Sequence, residues 1–443
     1  MSPEIIGVIA IIVLFAALAA GMQIGIAMAV VGFAGFGMIV NFSAALGMLK
    51  TVPYTTAASY TMGVVPLFIL MGQMAYYSKL SNDAYYAIYK WLGHLPGGLA
   101  IATIGGSAIF AAICGSSTAA AGTMTVVALP QMDKYRYHPS LSLGSIAAGG
   151  TLGILIPPSV ALIIYGIISE QSISRLFIAG IIPGIVLSLL FCTTIYFWAR
   201  LRPWVGPRGP RFEWRERLAG VRHVWEVAIL AFAVLGGIWG GVFSPTEAGG
   251  IGACGAFLIA LKRRQLNLKR TLSALRETIK ISGMIFTILI GAMIFNYFLS
   301  VSRLPMAVAN LLSRLPFSPM GILITILFVY IILGCAMDTL AMTVLTLPIF
   351  LPLITNLGFD LIWFGVIFTV ICEMALITPP IGLNVFIVGG MVKSRVTTTE
   401  DIQFSTIFRG VVPFIIAMLI CEIILLIFPQ ISLFLPNTML GGG

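Results

Sequence analysis

The sequence predicts an all-α polytopic membrane protein with an inverted-topology repeat, in which two re-entrant helical hairpins accompany two proline-broken helices. Three observations support this prediction: an apolar composition, a proline pair that occurs twice, and a charge pattern that orients the two halves oppositely. Hydrophobic residues make up 59% of the 443 residues and charged residues only 9%. A soluble fold of this size does not bury so much apolar surface, and continuous apolar runs exclude a β-barrel.

The N-terminal segment contains an acidic residue, Glu4, and lacks the basic region of a signal peptide, so it is predicted to be the first spanning helix. The net charge of +10 does not indicate a nucleic-acid partner, because the basic residues cluster in short loops between apolar segments. Six cysteines lie in apolar segments without metal-ligand spacing, which indicates packing. No cofactor is expected.

Positive charge predicts the topology. Five segments hold most of the 25 lysines and arginines, and we expect all five in the cytoplasm: residues 79–94, 133–138, 200–222, 262–280 and 393–409. The apolar spans between them are residues 5–20, 23–40, 63–78, 175–199, 224–243, 247–261, 281–299 and 407–429. Both termini then lie outside the cytoplasm. The basic, amphipathic stretch 262–280 is predicted to be a separate helix lying along the cytoplasmic interface.

Two segments begin and end on the same side of the membrane. Residues 97–132 have both ends in the cytoplasm and a polar break at Gly115–Thr118. Residues 317–356 have both ends outside and a break between residues 334 and 339. Because each limb of 97–132 is short for a full span, and because the ends of each segment share one side, we predict two re-entrant hairpins.

The proline pairs mark two further segments. Pro157-Pro158 lies within 139–169, and Pro379-Pro380 lies within 360–392, about 222 residues later. Proline removes a backbone donor and clashes with the preceding turn, so each pair should break a helix inside the bilayer. Broken helices at matching positions of two halves are typical of the binding site of a secondary transporter.

The two halves align beyond the prolines, since Gly72 matches Gly291, Cys114 matches Cys335 and Thr118 matches Thr339. A duplication of this kind divides the chain into residues 1–222 and 223–443. Each half holds scaffold helices, one hairpin and one broken helix: 97–132 and 139–169 in the first, 317–356 and 360–392 in the second.

The polar residues at the hairpin breaks suggest ion and ligand binding. Ser116 or Ser117 can cap the second limb of the first hairpin, whose N-terminus would direct free N–H groups and positive dipole toward the membrane centre, suiting an anion. Asp338 can cap the second hairpin, and an intramembrane carboxylate indicates function. Carboxylate, hydroxyl and carbonyl oxygens suit a hard cation, and at most one carboxylate per site favours sodium over calcium.

Five motifs carry a family resemblance: GSSTAAAG, LGILIPPS, SPTEAGG, CAMDTLAM and ALITPPIGLNVF, in this order. Over essentially the whole chain they resemble the large membrane subunit of tripartite ATP-independent periplasmic (TRAP) transporters. The resemblance implies a sodium-coupled, elevator-type importer in a bacterial inner membrane. It implies two partners, a small four-helix membrane subunit and a periplasmic substrate-binding protein. It implies a carboxylate-bearing organic anion as substrate: a C4-dicarboxylate, a sialic acid or a sugar acid. We expect no fused small subunit.

The family pattern and the residue chemistry together give two sets of candidate residues. The predicted sodium ligands are Ser116, Ser117, Gly153, Ile156, Gly334, Asp338, Thr339 and Thr378. The predicted substrate-binding residues, between the hairpin tips, are Gly115, Ser117, Thr118, Pro157, Thr339, Pro379 and Asn384. Asn384 could instead brace the broken helix. Glu373, also inside the bilayer, either contributes to coupling or makes a structural hydrogen bond.

The same features allow a second function, a stand-alone ion-coupled carrier of the dicarboxylate or citrate type, or an antiporter. An enzyme is not expected, because the sequence has no nucleophile–base pair, metal cluster or phosphate loop.

Overall fold

The computed structural model describes residues 2–313, 316–335, 337–395 and 403–439. The predicted hairpin 317–356 and basic segment 393–409 include positions outside this part of the chain, Ala336 and residues 396–402. Within the described part, every regular element is helical.

The first half contains eleven α-helices and a 3₁₀ turn, Tyr60–Gly63. The helices are α1 (Pro3–Ala19), α2 (Ile24–Ile39), α3 (Phe42–Ala57), α4 (Val64–Tyr77), α5 (Leu80–Leu92), α6 (Gly98–Cys114), α7 (Ser117–Val127), α8 (Leu129–Lys134), α9 (Pro139–Leu155), α10 (Val160–Ser169) and α11 (Ile173–Leu201).

Ten further α-helices follow among the described residues, and the first of them crosses the predicted boundary at residue 222. They are α12 (Trp214–Trp239), α13 (Pro245–Lys262), α14 (Leu268–Ser302), α15 (Leu304–Ser313), α16 (Pro319–Gly334), α17 (Thr339–Asn356), α18 (Leu361–Ala375), α19 (Leu383–Arg395), α20 (Phe404–Ile427) and α21 (Gln430–Asn437).

Several helices are suited to a bilayer. Four described helices are long and apolar enough to cross a membrane alone, and the number rises to seven if each bent pair forms one span. Large apolar side chains on their outer faces remain exposed, among them Ile12, Phe232 and Phe328. A helix that presents apolar residues to its surroundings belongs in lipid. The prediction of a polytopic helical membrane protein is therefore confirmed.

The helices form two groups. The scaffold group contains α1–α4 and α12–α14, and the hairpin group contains α6–α11 and α16–α21. Within the scaffold, α2 packs most extensively on α14, and α4 on α13, so each half contributes one helix to each pair. In the hairpin group α9 lies at the centre, against α6, α7 and α20. Helices α5 and α15 connect the groups at corresponding places in the two halves.

Three helices were not predicted. Helix α3 contains Lys50, an internal Pro53 and several threonines, so its mean hydropathy falls below that of the neighbouring spans. It is joined by a short break to the segment Tyr60–Tyr77, with a bend of 53° between them. The short helices α15 and α21 each follow directly on a long helix. Their apolar residues continue the pattern of that helix, and the break is not visible in the sequence.

The prediction of a separate interfacial helix over 262–280 was wrong. Helix α14 runs without interruption through 35 residues, from Leu268 to Ser302. At 1.5 Å per residue it is about 52 Å long, well beyond the ~30 Å hydrocarbon core. Its basic first turns continue the axis of the span, because good helix formers link the basic stretch to the apolar one without a glycine or proline between residues 268 and 281.

The register between the two hairpin tips also differs from the prediction. Ser116 is the N-cap of α7 and Asp338 is the N-cap of α17. Ser117 and Thr339 are then the first residues of these helices, so Thr339 corresponds to Ser117 and not to Thr118. The prediction failed because the second tip has a longer linker between its two limbs than the first, and an ungapped comparison cannot place that insertion.

Candidate functional site

Each hairpin tip is the start of a helix in the middle of the hairpin group. The Ser116 hydroxyl accepts a hydrogen bond from the Ala119 N–H at 3.4 Å. The Asp338 carboxylate accepts one from the Ala341 N–H at 3.2 Å. Both are N-caps, so the positive ends of the α7 and α17 dipoles point at the space between the tips. The capping residue of the first tip is neutral, and that of the second tip carries a negative charge when it is ionised.

Both proline pairs interrupt their helices as predicted. Helix α9 ends at Leu155 and α10 begins at Val160, capped by the Ser159 hydroxyl. Helix α18 ends at Ala375, and α19 begins at Leu383. Both Pro-Pro peptide bonds are cis. The backbone between the helix halves has carbonyl groups without intrahelical partners, which are available to a ligand.

Each tip meets the break of its own half. In the first half, the Val160 N–H donates to the Gly115 carbonyl oxygen at 3.5 Å. In the second, the Cys335 thiol is 3.4 Å from the Pro379 carbonyl oxygen. Two glycines permit the close approach in the first half. Gly115 has φ +64°, and a Cβ at Gly153 would lie 2.6 Å from the Ser116 carbonyl oxygen. A larger residue at either position would separate the tip from the break.

A cavity of about 250 Å³ lies where the two tips face the scaffold group. From the hairpin group it is lined by Gly115, Ser116, Ser117, Thr118, Asp338 and Thr339, together with Ile154, Val160, Leu376 and Leu383. From the scaffold it is lined by Ile69, Gly72 and Gln73 of α4 and by Ile281, Met284 and Ile285 of α14. Polar groups therefore converge from the tips, and the opposite wall is mostly apolar, which is typical of a small-molecule site.

The predicted site residues separate into three sets. Six of them line the cavity: Gly115, Ser116, Ser117, Thr118, Asp338 and Thr339. Five others, Gly153, Ile156, Pro157, Thr378 and Pro379, lie on the broken helices at or next to the breaks and are not among its lining residues. Gly334 ends α16 beside Ala375, and Asn384 is buried behind the first tip. Gln73 was not predicted to belong to the site, although an amide within an apolar helix is a signal that sequence reasoning can use.

A buried hydrogen-bond cluster joins both tips to the second broken helix. The Thr339 hydroxyl donates to the Glu373 carboxyl at 3.0 Å, and the Asn384 amide donates to the Ser117 hydroxyl at 2.7 Å. The Ser117 hydroxyl also interacts with Glu373. Glu373 and Asn384 are fully buried. The cluster therefore lies directly behind the two tip hydroxyls that line the cavity.

A larger cleft of about 640 Å³ lies elsewhere between the two groups. It is lined by the start of α4, the loop around Glu170 and the turn at Ser244–Thr246, and by Tyr297 of α14. None of the described tip or break residues is among its lining residues. The smaller cavity is therefore the better candidate for a specific site.

Comparisons with known proteins agree with this architecture. A family model described as the DctM component of the tripartite ATP-independent periplasmic transporter matches residues 11–431. The C4-dicarboxylate TRAP transporter large permease protein DctM of Pseudomonas aeruginosa is 34% identical over 385 residues, which cover 87% of this chain and 88% of the relative. The sialic acid TRAP transporter large permease protein SiaM of Vibrio cholerae is 29% identical over 426 residues, with 96% and 97% covered.

Among solved structures, the Alcanivorax borkumensis YdaH transporter is similar with a TM-score of 0.63, at 14% identity over 87% of this chain and 89% of that one. At this identity the likeness concerns the fold. The family resemblance predicted from the five motifs is confirmed by the family model and by the relatives. The chain belongs to the DctM component family of tripartite ATP-independent periplasmic transporters.

Proposed function

We propose that this chain is the permease of a sodium-coupled importer that moves a carboxylate-bearing organic anion across the bacterial inner membrane by an elevator mechanism. The anion would be a C4-dicarboxylate, a sialic acid or a sugar acid, delivered by a periplasmic binding protein. A small four-helix membrane subunit would complete the complex. The observation that carries the proposal is the convergence of both hairpin tips on one cavity at the boundary between the two helix groups.

Charge supports the coupling to a cation. Among the described residues that line the cavity, Asp338 is the one carboxylate, and none is a lysine, arginine or histidine. An organic anion bound there would add negative charge beside Asp338 in a site of low dielectric, which is unfavourable without compensation. The positive ends of the helix dipoles supply part of this compensation. Sodium ions held by Asp338, the tip hydroxyls and the carbonyls of the breaks would supply the rest.

The arrangement of the groups supports the elevator. The tips and breaks belong to the hairpin group, and the described residues of the opposite wall come from α4 and α14 of the scaffold. The hairpin group could then carry the bound ligand past this wall as one body. A site loaded with anion and sodium together is close to neutral, so it crosses the bilayer at lower free-energy cost than a half-loaded site does. This difference would oppose leakage.

Uptake into proteoliposomes tests the proposal. The complete complex, with small subunit and binding protein, would be reconstituted and supplied with radiolabelled succinate or N-acetylneuraminate, with and without an inward sodium gradient. We expect uptake that requires both the gradient and the binding protein. Uptake that needs the gradient but not the binding protein would favour the stand-alone carrier. Uptake of both probes unaffected by sodium would overturn the coupling.

The proposed orientation has its own test. With both termini in the periplasm, alkaline phosphatase fused to the C-terminus should be active, and a fusion within the basic loop after α11 should be inactive. The reverse pattern would overturn the sidedness deduced from charge.

A further inference from the structure

The buried cluster behind the tips contains more oxygen than its hydrogen bonds use. One Glu373 oxygen, Oε1, accepts from the Thr339 hydroxyl. The other, Oε2, is buried without a partner, and so is the amide oxygen Oδ1 of Asn384. Both residues are fully buried. A buried acceptor without a donor is unfavourable, and more so when it is charged, so two in one cluster indicate a ligand.

The two oxygens belong to one site. Asn384 is held by its own amide group, which donates to the Ser117 hydroxyl at 2.7 Å, and the same hydroxyl interacts with Glu373. Ser117 therefore bridges the two side chains. Thr339 approaches Glu373 from the other tip. Two side chains of the second broken helix and the first residue of each tip helix are thus joined in one buried cluster.

The chemistry of this buried cluster favours a cation. None of the ion pairs among the described residues involves Glu373. Its known partners are hydroxyl groups, which stabilise a carboxylate but do not neutralise it. Asp338, at the N-cap of α17, adds a second acidic group nearby. An unpaired buried carboxylate is highly unfavourable, and a small ion held by oxygen ligands is a common remedy.

We propose that Glu373 and Asn384 bind a small monovalent cation, sodium in the transport cycle proposed above, immediately behind the two tip hydroxyls. This site is additional to the sodium sites proposed at the breaks, and it rests on the proposed function for the identity of the ion. Its ligands are Glu373 Oε2, Asn384 Oδ1 and the oxygens of Ser117 and Thr339. Because one ligand comes from each tip, the ion ties both hairpins to the second broken helix.

The second half alone carries this site. At the position 222 residues before Glu373 stands Thr151, whose hydroxyl donates within its own helix to the Ala148 carbonyl at 2.6 Å. At the position 222 residues before Asn384 stands Leu162. The first half therefore suggests a substitution that removes the site. Asn384→Leu introduces the residue type found at the corresponding position, Leu162.

The experiment measures the number of sodium ions moved per substrate. Reversal potentials would be determined in proteoliposomes with the complete complex, using succinate or N-acetylneuraminate, whichever is transported, for the wild type, Glu373→Gln and Asn384→Leu. We expect Glu373→Gln to move one sodium ion fewer, and Asn384→Leu to raise the half-saturating sodium concentration by at least about 10-fold, as loss of a metal-site contact does. A monodisperse complex confirms folding.

Glu422→Gln is the matched control. Glu422 is also buried in the hairpin group, on α20, and neither of its carboxyl oxygens has a partner. It takes no part in the described hydrogen bonds that join the cluster to the tips. Its stoichiometry should equal that of the wild type. Equal changes in Glu373→Gln and Glu422→Gln would overturn the site, as would an unchanged stoichiometry and sodium affinity in Glu373→Gln.

Two further outcomes separate this inference from the proposed function. A wild type that transports without sodium overturns the coupling itself, and the sodium assignment of this site with it. A sodium-coupled wild type whose Glu373→Gln variant loses one proton per cycle, measured with an imposed pH gradient, overturns only the identity of the ion. In that case the cluster binds a proton.

Discussion

The two halves of the hairpin group have the same backbone design but different chemistry. In the first half the break is covered, and Pro157, Pro158 and Ser159 are all buried. In the second half Pro379 and Pro380 are exposed, and Ile381 is 45% exposed. The first tip is capped by a serine and the second by an aspartate.

Carboxylates follow the same division. Asp338 and Glu373 both lie in the second half, and the corresponding residues of the first half are Ser116 and Thr151. Helix breaks and caps are therefore present in both halves, while these two carboxylates both lie in the second half. We infer that the first half mainly builds the site and that the second half mainly sets its charge. Four predictions test that division, in order of decreasing effect.

The largest effect is expected where the close packing of tip and break is removed. Gly153→Ala places a Cβ 2.6 Å from the Ser116 carbonyl oxygen, and Gly334→Ala drives one into the Ala375 side chain. Overpacking of this kind costs about 1–3 kcal/mol. Both variants should lower the melting temperature and reduce uptake by more than about 10-fold, because each tip loses its position. Gly250→Ala, where the added atom meets open space, is the control and should leave both measurements unchanged.

The next effect concerns charge at the tips. Asparagine caps a helix as well as aspartate does, so Asp338→Asn keeps the start of α17 and removes only the charge. We expect the half-saturating sodium concentration to rise about 10-fold, the effect of losing a charge-assisted contact worth ~1.5 kcal/mol. Ser116→Ala, which alters the neutral tip, should change it less. Equal sodium dependence in Asp338→Asn and the wild type would show that Asp338 serves only as a structural helix cap.

A smaller effect is expected at the exposed break. The Thr378 hydroxyl donates to the Met374 carbonyl at 2.7 Å and keeps a free lone pair for a cation. Thr378→Val should raise the half-saturating sodium concentration about 3- to 10-fold, since a neutral oxygen contact contributes roughly 0.5–1.5 kcal/mol. Thr151→Val in the first half is the comparison. Its sodium dependence should match the wild type, and an equal shift in both variants would contradict the division between the halves.

The smallest effect is expected at the covered break. The Ser159 hydroxyl accepts from the Leu162 N–H at 3.3 Å and caps α10. Ser159→Ala should cost about 1 kcal/mol of stability, visible as a lower melting temperature of the complex. Sodium affinity and uptake per folded complex should remain at wild-type values. A clear loss of sodium affinity would show that the first break also binds the coupling ion directly through this residue.

Much of the fold was predictable because it depends on local signals. Apolar runs define the spans, proline pairs define the breaks, and a serine or an aspartate before an apolar limb defines each hairpin tip. The tip residues that line the cavity could be predicted from the same local sequence signals. Helix α3 was not, because its threonines and Lys50 lower its hydropathy below that of a span.

The remaining features depend on tertiary contacts. Asn384 meets Ser117 across 267 residues of sequence, and no local pattern reports such a pair. Gln73 enters the site because α4 packs beside the first tip, where Gly72 faces the backbone of Cys114. The correspondence of Ser117 with Thr339 required the helix caps, since the tip linkers differ in length.

The composition of the cavity wall has a pharmacological consequence. Its polar side belongs to the hairpin group, and its apolar side belongs to α4 and α14 of the scaffold. In the proposed elevator mechanism, a substrate small enough to be held by the tips alone would move with them. An organic acid with a bulky apolar tail would contact both sides of the cavity at once. It would then occupy the permease without being transported. Inhibitors of this family member should therefore be sought among lengthened substrates and not among shortened ones.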